Sequence, residues 1–568
     1  MTASHLGKGN TKMRHFIKSR VFPRRFGHRN GDGSGSRAKE PTANPQTSLQ
    51  PSEHSGADAG GEVTESSTSN PHESHTHDHG KSSQSLSGMQ ETVPNPASHQ
   101  HGLQLTFEGL PPEIRLRIFE FGLGIEDLRA AVRASPSLHR QYLDADRRRM
   151  LQTALDTSLG PAFIAMWAVH ATSNSNVDLL RPSIEIESER IVKFMTKFLD
   201  LQRSWAQGAL LSEHFRESDL VEMSRYYLST VKPVVAYFSD LFLGNLCQQL
   251  DQGPESILSS SSAFDSSSDN TDGDSTNSWQ TPYKYGEHVD GCAPQDEATL
   301  DAGREVYLQR PPSSSEAVRI VRALYHVQMW CNIFGYGADP DKEPASVPPE
   351  EVPCMFHETF EPWEVEEMLC IFQHMKSVIN DLFHEMRDDL LRYDEQHRGE
   401  IPFFTSHCMD IRDYDVHIQC FIQSTVSRGL PYFLKFLAIP EGDRDARLRP
   451  VVDNVGRWLL KEMLVSSTSF NFERRDLHPS PNDVREKEQV PLLFLGDSFD
   501  TKLGPPFGWC LMWRGTYSNR YGDDIPDKLR HWGYVFWDRE RVIGSTARRL
   551  LLHTWRDQHW EDPRNFPF

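Results

Sequence analysis

The stretch Leu110-Pro-Pro-Glu-Ile-Arg-Leu-Arg-Ile-Phe-Glu-Phe121 carries the densest structural signal in the chain. Pro111 and Pro112 preset φ for a first helical turn, and Glu113 puts negative charge where the helix dipole favours it. Ile114, Ile118 and Phe121 recur at i, i+4 and i+7, one helix face; Leu116, Phe119 and Leu123 make a second stripe beside it. Gly124 ends the helix. Ile125 to Ala134 repeats the pattern with Leu128, Ala131 and Val132 on one face. Ser135-Pro136 then supplies an N-cap and a proline at the first position of a third helix, through Leu138 and Tyr142. Three short helices cannot bury all these stripes among themselves, which implies a covering partner.

The spacing of 3–4 continues toward the C-terminus. Val192, Met195, Phe198 and Leu199 share a face, and Ser218-Asp219 caps a helix carrying Leu220, Met223, Tyr226 and Val231. Pro233 is expected to break that helix before residues 234–250 resume it. The serines at 313–315 open another through Val318, Val321, Leu324, Val327 and Trp330, stopped by Gly335 and Gly337. Glu361-Pro362 is a strong start signal, after which Val365, Met368, Phe372, Met375, Ile379, Leu382, Met386 and Leu390 hold one face. Gly429-Leu-Pro431 kinks or ends the helix that follows Val416. No run of alternating strands and no internal repeat interrupts this pattern. The predicted fold class is mainly α.

Between and around the helices lie segments of another composition. Apolar residues make up 37% of the 568, below the roughly 45–50% of globular chains. Residues 1–39 hold Lys8, Lys12, Arg14, Lys18, Arg20, Arg24, Arg25, Arg29, Arg37 and Lys39 against Asp32 alone, a local +9 within a chain of net charge −20. Such a tail reads as a nuclear-import patch, a weak anionic-surface binder, an Arg-rich transit peptide or a solvated arm. From 31 to about 100 the chain is too polar to offset its ordering entropy, so residues 1–102 are expected to be disordered. The tract His72, His75, His77, His79 within them would bind metal only adventitiously, for want of groups that orient the ligands. Residues 251–312 form an acidic, Ser-rich insert, again expected to be disordered, in which serines beside acids offer phosphosites or simply solvation. The resulting division is 1–102 tail, 103–150 trihelix, 151–250 and 313–500 helical body on either side of the insert, and 501–568 packed on that body.

The C-terminal segment differs from the rest. Trp509, Trp513, Trp532, Trp537, Trp555 and Trp560, half of the chain's twelve Trp, alternate there with Arg514, Arg520, Arg530, Arg539 and Arg541. Arg packs on Trp in cores and interfaces as readily as on nucleobases, and acids are interleaved, so nucleic acid is not expected as a partner. Trp513, Arg514, Tyr517, Tyr521, Trp532 and Trp537 are the candidates for a face that holds a protein target.

Leu110-Pro111-x-Glu113-Ile114-x-x-x-Ile118-Phe119, followed by Leu128, Val132 and Leu138, resembles an F-box. The resemblance implies a trihelical motif that docks the small SKP-family adaptor of cullin-RING ubiquitin ligases. Leu110, Pro111, Ile114, Ile118 and Phe119 would then contact the adaptor, with Leu128, Val132 and Leu138 supporting the trihelix. The third helix departs from the usual Trp-containing pattern in Arg133-Ala-Ser-Pro-Ser-Leu-His-Arg-Gln-Tyr142. A wider resemblance, to a family of fungal F-box-like proteins, rests on five stretches. These are Ala134-Ser-Pro-Ser-Leu-His-Arg-Gln-Tyr-Leu143, Leu324-Tyr-His-Val-Gln-Met-Trp-Cys-Asn-Ile-Phe-Gly335, Phe360-Glu-Pro-Trp-Glu-Val-Glu-Glu367, Trp513-Arg-Gly-Thr-Tyr-Ser-Asn-Arg-Tyr-Gly522 and Trp532-Gly-Tyr-Val-Phe-Trp-Asp538. That likeness implies an architecture and an adaptor contact, and no substrate.

Catalytic signatures are missing from the sequence. No phosphate cradle, HExxH or CxxC occurs, and eight Cys in 568 residues make no disulfide scaffold, so no cofactor, metal or catalytic residue is expected. The best residual candidates are Cys408 beside His407 as nucleophile and base, and Asp413, Asp415 and His417 as divalent-ion ligands. No secretory signal opens the chain and its longest apolar run, 159–171, is too short to span a bilayer, so an intracellular address, nuclear or cytoplasmic, is expected. The function expected is a non-catalytic substrate-recruiting subunit. An adaptor-independent helical scaffold is the alternative, and an unrecognised hydrolase the remote one.

Overall fold

A computed structural model describes residues 107–121, 123–145, 147–173, 187–208, 214–260, 303–337, 345, 347–396, 416–438, 463–498 and 504–558. At its centre is a helix that no sequence period marks as surface: α10 (Ser314–Phe334) is buried on every side, polar residues included. A capping box opens it, with Glu316 N–H donating to Ser313 Oγ (3.1 Å) and Ser313 N–H to Glu316 Oε2 (2.8 Å). Gly335 ends it beside the Ser427 carbonyl, where a Cβ would lie only 2.5 Å away. Against α10 run α5 (Ala162–Ser173), α8 (Lys232–Ser260) and α12 (Pro362–Gln396). The alanines of α5 at 162, 165 and 168 are all buried, and their small side chains let two enclosed helices approach closely.

The predicted trihelix is present as α1 (Pro112–Phe121), α2 (Ile125–Ala134) and α3 (Pro136–Asp144). It is not a separate bead. α1 and α2 both pack on α4 (Arg147–Leu159), and Phe119, Ile125, Leu128 and Leu138 belong to the same continuous core as the body. The Ile125 N–H donates to Ser158 Oγ (2.8 Å), tying the start of α2 to α4. The expected boundary at 150 therefore falls inside a helix, because α4 buries one face under the trihelix and another against α7 (Glu217–Tyr226). α6 (Glu187–Ala206) covers α5.

Pro233 does not break its helix. A π-turn over Tyr227–Val231 joins α7 to α8, closed by Lys232 N–H donating to the Tyr227 carbonyl five residues back. Proline lacks an N–H and crowds the carbonyl four residues earlier, and a wider turn just before it relieves that crowding without ending the helix. The acidic insert is also shorter than expected. α8 continues to Ser260, and α9 (Arg304–Gln309) occupies its far end, so only residues 261–302 remain outside the described ones. The basic tail, the His tract and the rest of residues 1–106 also lie outside them.

After α10 come α11 (Val352–Met355) and then α12, which starts at Pro362 as its sequence signals. α13 (Val416–Val426) and α14 (Leu430–Leu437) follow. Gly429 separates those two with φ +79°, and a Cβ there would overlap the Gln328 carboxamide, whose Oε1 accepts from Leu430 N–H (2.6 Å). Gly429→Ala combines left-handed strain with that overlap and should cost about 2 kcal/mol or more, read as a lowered denaturant midpoint.

The remaining helices are α15 (Met463–Ser469), α16 (Asn471–Leu477), α17 (Pro481–Lys487), α18 (Phe507–Met512), α19 (Asp527–His531), α20 (Arg539–Gly544) and α21 (Ala547–Gln558). Among the described residues the chain is mainly helical, and its β structure is one isolated antiparallel bridge, Pro491 with Thr516. The C-terminal segment does not sit on the body as a layer. α18 to α21 complete the core, with α19 against α12 and α21 against α8.

This placement corrects the candidate target face. Trp513, Tyr517, Tyr521, Trp532 and Trp537 are buried, and Arg514 is half-buried at φ +53°. The physical reason is size: Trp and Tyr bring the largest apolar areas in the chain, and filling a core gains more than facing solvent.

Candidate functional site

The residues expected at the adaptor divide by exposure. Pro111 and Ile114 are exposed, Ile114 at 48%, while Leu110 and Ile118 are half-buried. Phe119 is fully buried and faces the core, which corrects its assignment as a contact residue. It lies one position after Ile118, about 100° further round the helix, on the side that α4 covers. Of the supporting residues, Leu128 and Leu138 are buried and Val132 is half-buried. The edge is held in place from the third helix. Ser135 caps α3 by accepting from Leu138 N–H (3.4 Å), and Gln141 Nε2 donates to the Pro112 carbonyl (2.5 Å). The structure thus presents a short apolar strip on the first turns of α1, over a buried support.

A second constellation escaped sequence reasoning. Glu316, Arg319 and Arg322 recur at i, i+3 and i+6 of the buried α10, and each meets an opposite charge in the interior. Arg541 donates Nε and Nη2 to the two oxygens of Glu316, both at 2.8 Å. The same guanidinium donates to the carbonyls of Arg310 (3.1 Å), Pro311 (3.0 Å) and Tyr307. Arg319 reaches Asp538 (2.8 Å) and Asp497 (2.7 Å). Arg322 donates to both oxygens of Glu367 (3.0 and 2.6 Å) and lies 2.7 Å from Glu364. Arg530 clasps Glu366 in the same bidentate way (2.8 and 3.0 Å). Arg474 lies 2.7 Å from Asp483 and 2.9 Å from Glu358. Planar guanidinium forks match carboxylates in pairs of hydrogen bonds, which is why Arg rather than Lys fills these places. The available signal was a Glu and two Arg at helical spacing amid apolar residues. Nothing in it identified the partners, which come from segments up to 225 residues away.

Burial pushes the thiol of Cys354 up to about 11 and that of Cys510 up to about 12, so both are protonated at neutral pH. Burial holds His357 down at about 3 and His374 at about 4, each a neutral core imidazole. His357 shares a hydrogen bond with Ser467 Oγ (2.8 Å), and His374 Nε2 one with Asn245 Nδ2 (3.2 Å). Cys408, Asp413 and Asp415 lie outside the described residues, as does the side chain of His417. Among the described residues no group of three or more His, Cys, Asp or Glu is placed to hold a metal ion, and no helix is long and apolar enough to cross a membrane. Compared with known proteins, the chain matches no family model, no curated protein and no solved structure.

Proposed function

We propose that this chain is a substrate-recruiting subunit that docks the SKP-family adaptor of a cullin-RING ubiquitin ligase through the first turns of α1. The observation that carries the reading is the division of the F-box-like residues. Pro111 and Ile114 are left uncovered, Leu110 and Ile118 half so, while Leu128 and Leu138 are inside. An apolar strip held by a buried support is what a preorganised docking edge requires. In this reading the chain performs no catalysis, and its helical body holds an unidentified protein target. Its compartment is nuclear or cytoplasmic, in keeping with a sparse cysteine content of eight in 568 residues.

The test follows from the correction at Phe119. A charge at that buried position would unfold the trihelix, so the informative variant is Ile114→Asp on the exposed edge. The full chain should co-purify with the adaptor, and Ile114→Asp should weaken binding about 30-fold or more, the loss of one interface hot spot of about 2 kcal/mol. Its melting temperature should stay that of the wild type. No adaptor in the wild-type lane would remove this reading and leave the adaptor-independent scaffold.

A further inference from the structure

Between α17 and α18 the chain passes through Val490-Pro-Leu-Leu-Phe-Leu-Gly496, which holds the antiparallel bridge of Pro491 with Thr516. Leu492 N–H donates to the Gly515 carbonyl (2.7 Å), and Tyr517 N–H donates to the Val490 carbonyl (3.2 Å). Side chains alternate beyond the bridge as they do on a strand. Leu492 is buried and Phe494 half-buried, while Leu493 and Leu495 are 68% and 63% exposed. The far end is anchored as firmly as the bridge. Phe494 packs edge-on against Phe507 of α18, with 5.3 Å between ring centroids. Asp497 accepts from the buried Arg319 (2.7 Å) and from Arg539 N–H (2.9 Å).

Main-chain groups alternate with the same period. Val490 and Leu492 turn theirs toward residues 515–517, which leaves those of Leu493 and Leu495 on the opposite edge. Among the described residues no hydrogen bond reaches the N–H or C=O of either leucine. Such edges are usually guarded by charge, yet residues 489–496 carry no charged side chain. Pro491 lies on this edge but withholds only its own N–H. Two exposed leucines, about 7 Å apart on one face, therefore stand beside open main-chain groups. The open edge identifies its cover: an extended strand is what supplies donors and acceptors at this spacing. A second copy of this chain fits less well, because two leucines from each copy fall far short of the roughly 1,200 Å² that a stable interface buries.

We propose that Leu493–Leu495 is a strand-addition site for a short extended segment of a partner protein, uncharged and apolar at alternate positions. The main chain of that segment hydrogen-bonds with Leu493 and Leu495, and its apolar side chains lie against the two leucines on the same face. Because both ends of the edge are anchored, little ordering is left to be done on binding. The site deepens the substrate-recruiting reading by naming the chemistry of the recruited target, and to that extent rests on it. Peptide binding itself does not require the adaptor, since the α1 edge is a separate surface.

Fluorescence anisotropy with the full chain tests this. The probes are a fluorescein-tagged heptapeptide alternating Thr and Leu, a twin N-methylated at every Leu, and a twin N-methylated at every Thr. The parent should bind with a Kd below about 1 mM. One twin should bind at least about tenfold more weakly and the other as well as the parent, because alternate amides face opposite edges of a strand. Loss on methylating the Leu amides assigns antiparallel addition, and loss on methylating the Thr amides assigns parallel addition. Leu493→Asp with Leu495→Asp charges the edge without touching the core and should abolish binding at unchanged melting temperature. Ile114→Asp should leave the peptide bound, so failure of the adaptor reading and failure of this one are told apart. No binding up to about 1 mM, the same affinity for both twins, or unaltered binding by the double variant overturns the proposal. So does a wild-type dimer in sedimentation velocity that the double variant dissolves, which would give the edge to a second copy.

Discussion

Arg541→Ala should lower the free energy of unfolding by about 3–5 kcal/mol, a large part of the roughly 5–15 kcal/mol that holds a domain together. The guanidinium it removes is buried beside the ring of Trp537 (5.2 Å) and is the partner of both oxygens of Glu316. Glu316 is 1% exposed, so the variant leaves a carboxylate in the interior without its cation. The carbonyls of Arg310 and Pro311 lose a donor at the same time. Glu316 also caps α10 and accepts from Asp538 N–H (3.0 Å), which spreads the loss to the central helix. Chemical denaturation measures the effect. The double variant Arg541→Leu with Glu316→Leu should recover much of it, since replacing a whole buried pair by apolar groups is often close to neutral. A single variant within about 0.5 kcal/mol of the wild type would mean that the C-terminal segment is not integral to the core.

His357→Gln should change how stability depends on pH. His357 is fully buried, and burial together with the positive charge of Arg474 holds its imidazole at about 3, against about 6.5 in an unfolded chain. Below pH 6.5 the unfolded chain takes up a proton that the folded chain refuses, so this residue's contribution is fully present above 6.5 and is lost as pH falls toward 3. The lead of the wild type over the variant should shrink by about 1.4 kcal/mol for each pH unit below 6.5, close to 3 kcal/mol by pH 4.5. Denaturant midpoints of the two proteins at pH 7.5, 6 and 4.5 give the difference directly. The difference is the informative quantity, because other groups run both ways. Burial also depresses His374, whereas it raises the carboxyl of Glu366, which gains its proton first in the folded state. A lead that does not vary with pH would show His357 to be solvated.

Local signals carried much of this architecture. Pro362 after Glu361, Ser313 with Glu316, and Ser135 before Pro136 each start a helix where local chemistry satisfies the first free N–H groups, and each start is where the sequence places it. The mainly α class follows from the same short-range periods. Long-range facts had no such signature. Ile114 and Phe119 belong to adjacent apolar stripes of one helix, and only the position of α4 decides that the first meets solvent and the second the core. From sequence, Trp532 and Trp537 read first as core filling and second as a target face. The choice was made by a core that closes only when the C-terminal helices enter it.

From residues alone, then, come the helix starts, the class of the fold and the position of the apolar strip at Leu110–Ile118, since each depends on neighbours within about a turn of helix. Tertiary structure decided which carboxylate each buried arginine meets and which stripe of α1 stays uncovered. The physical reason is range. Caps and periods act within a few residues along the chain, whereas burial and charge pairing act between segments that only the packed molecule brings together.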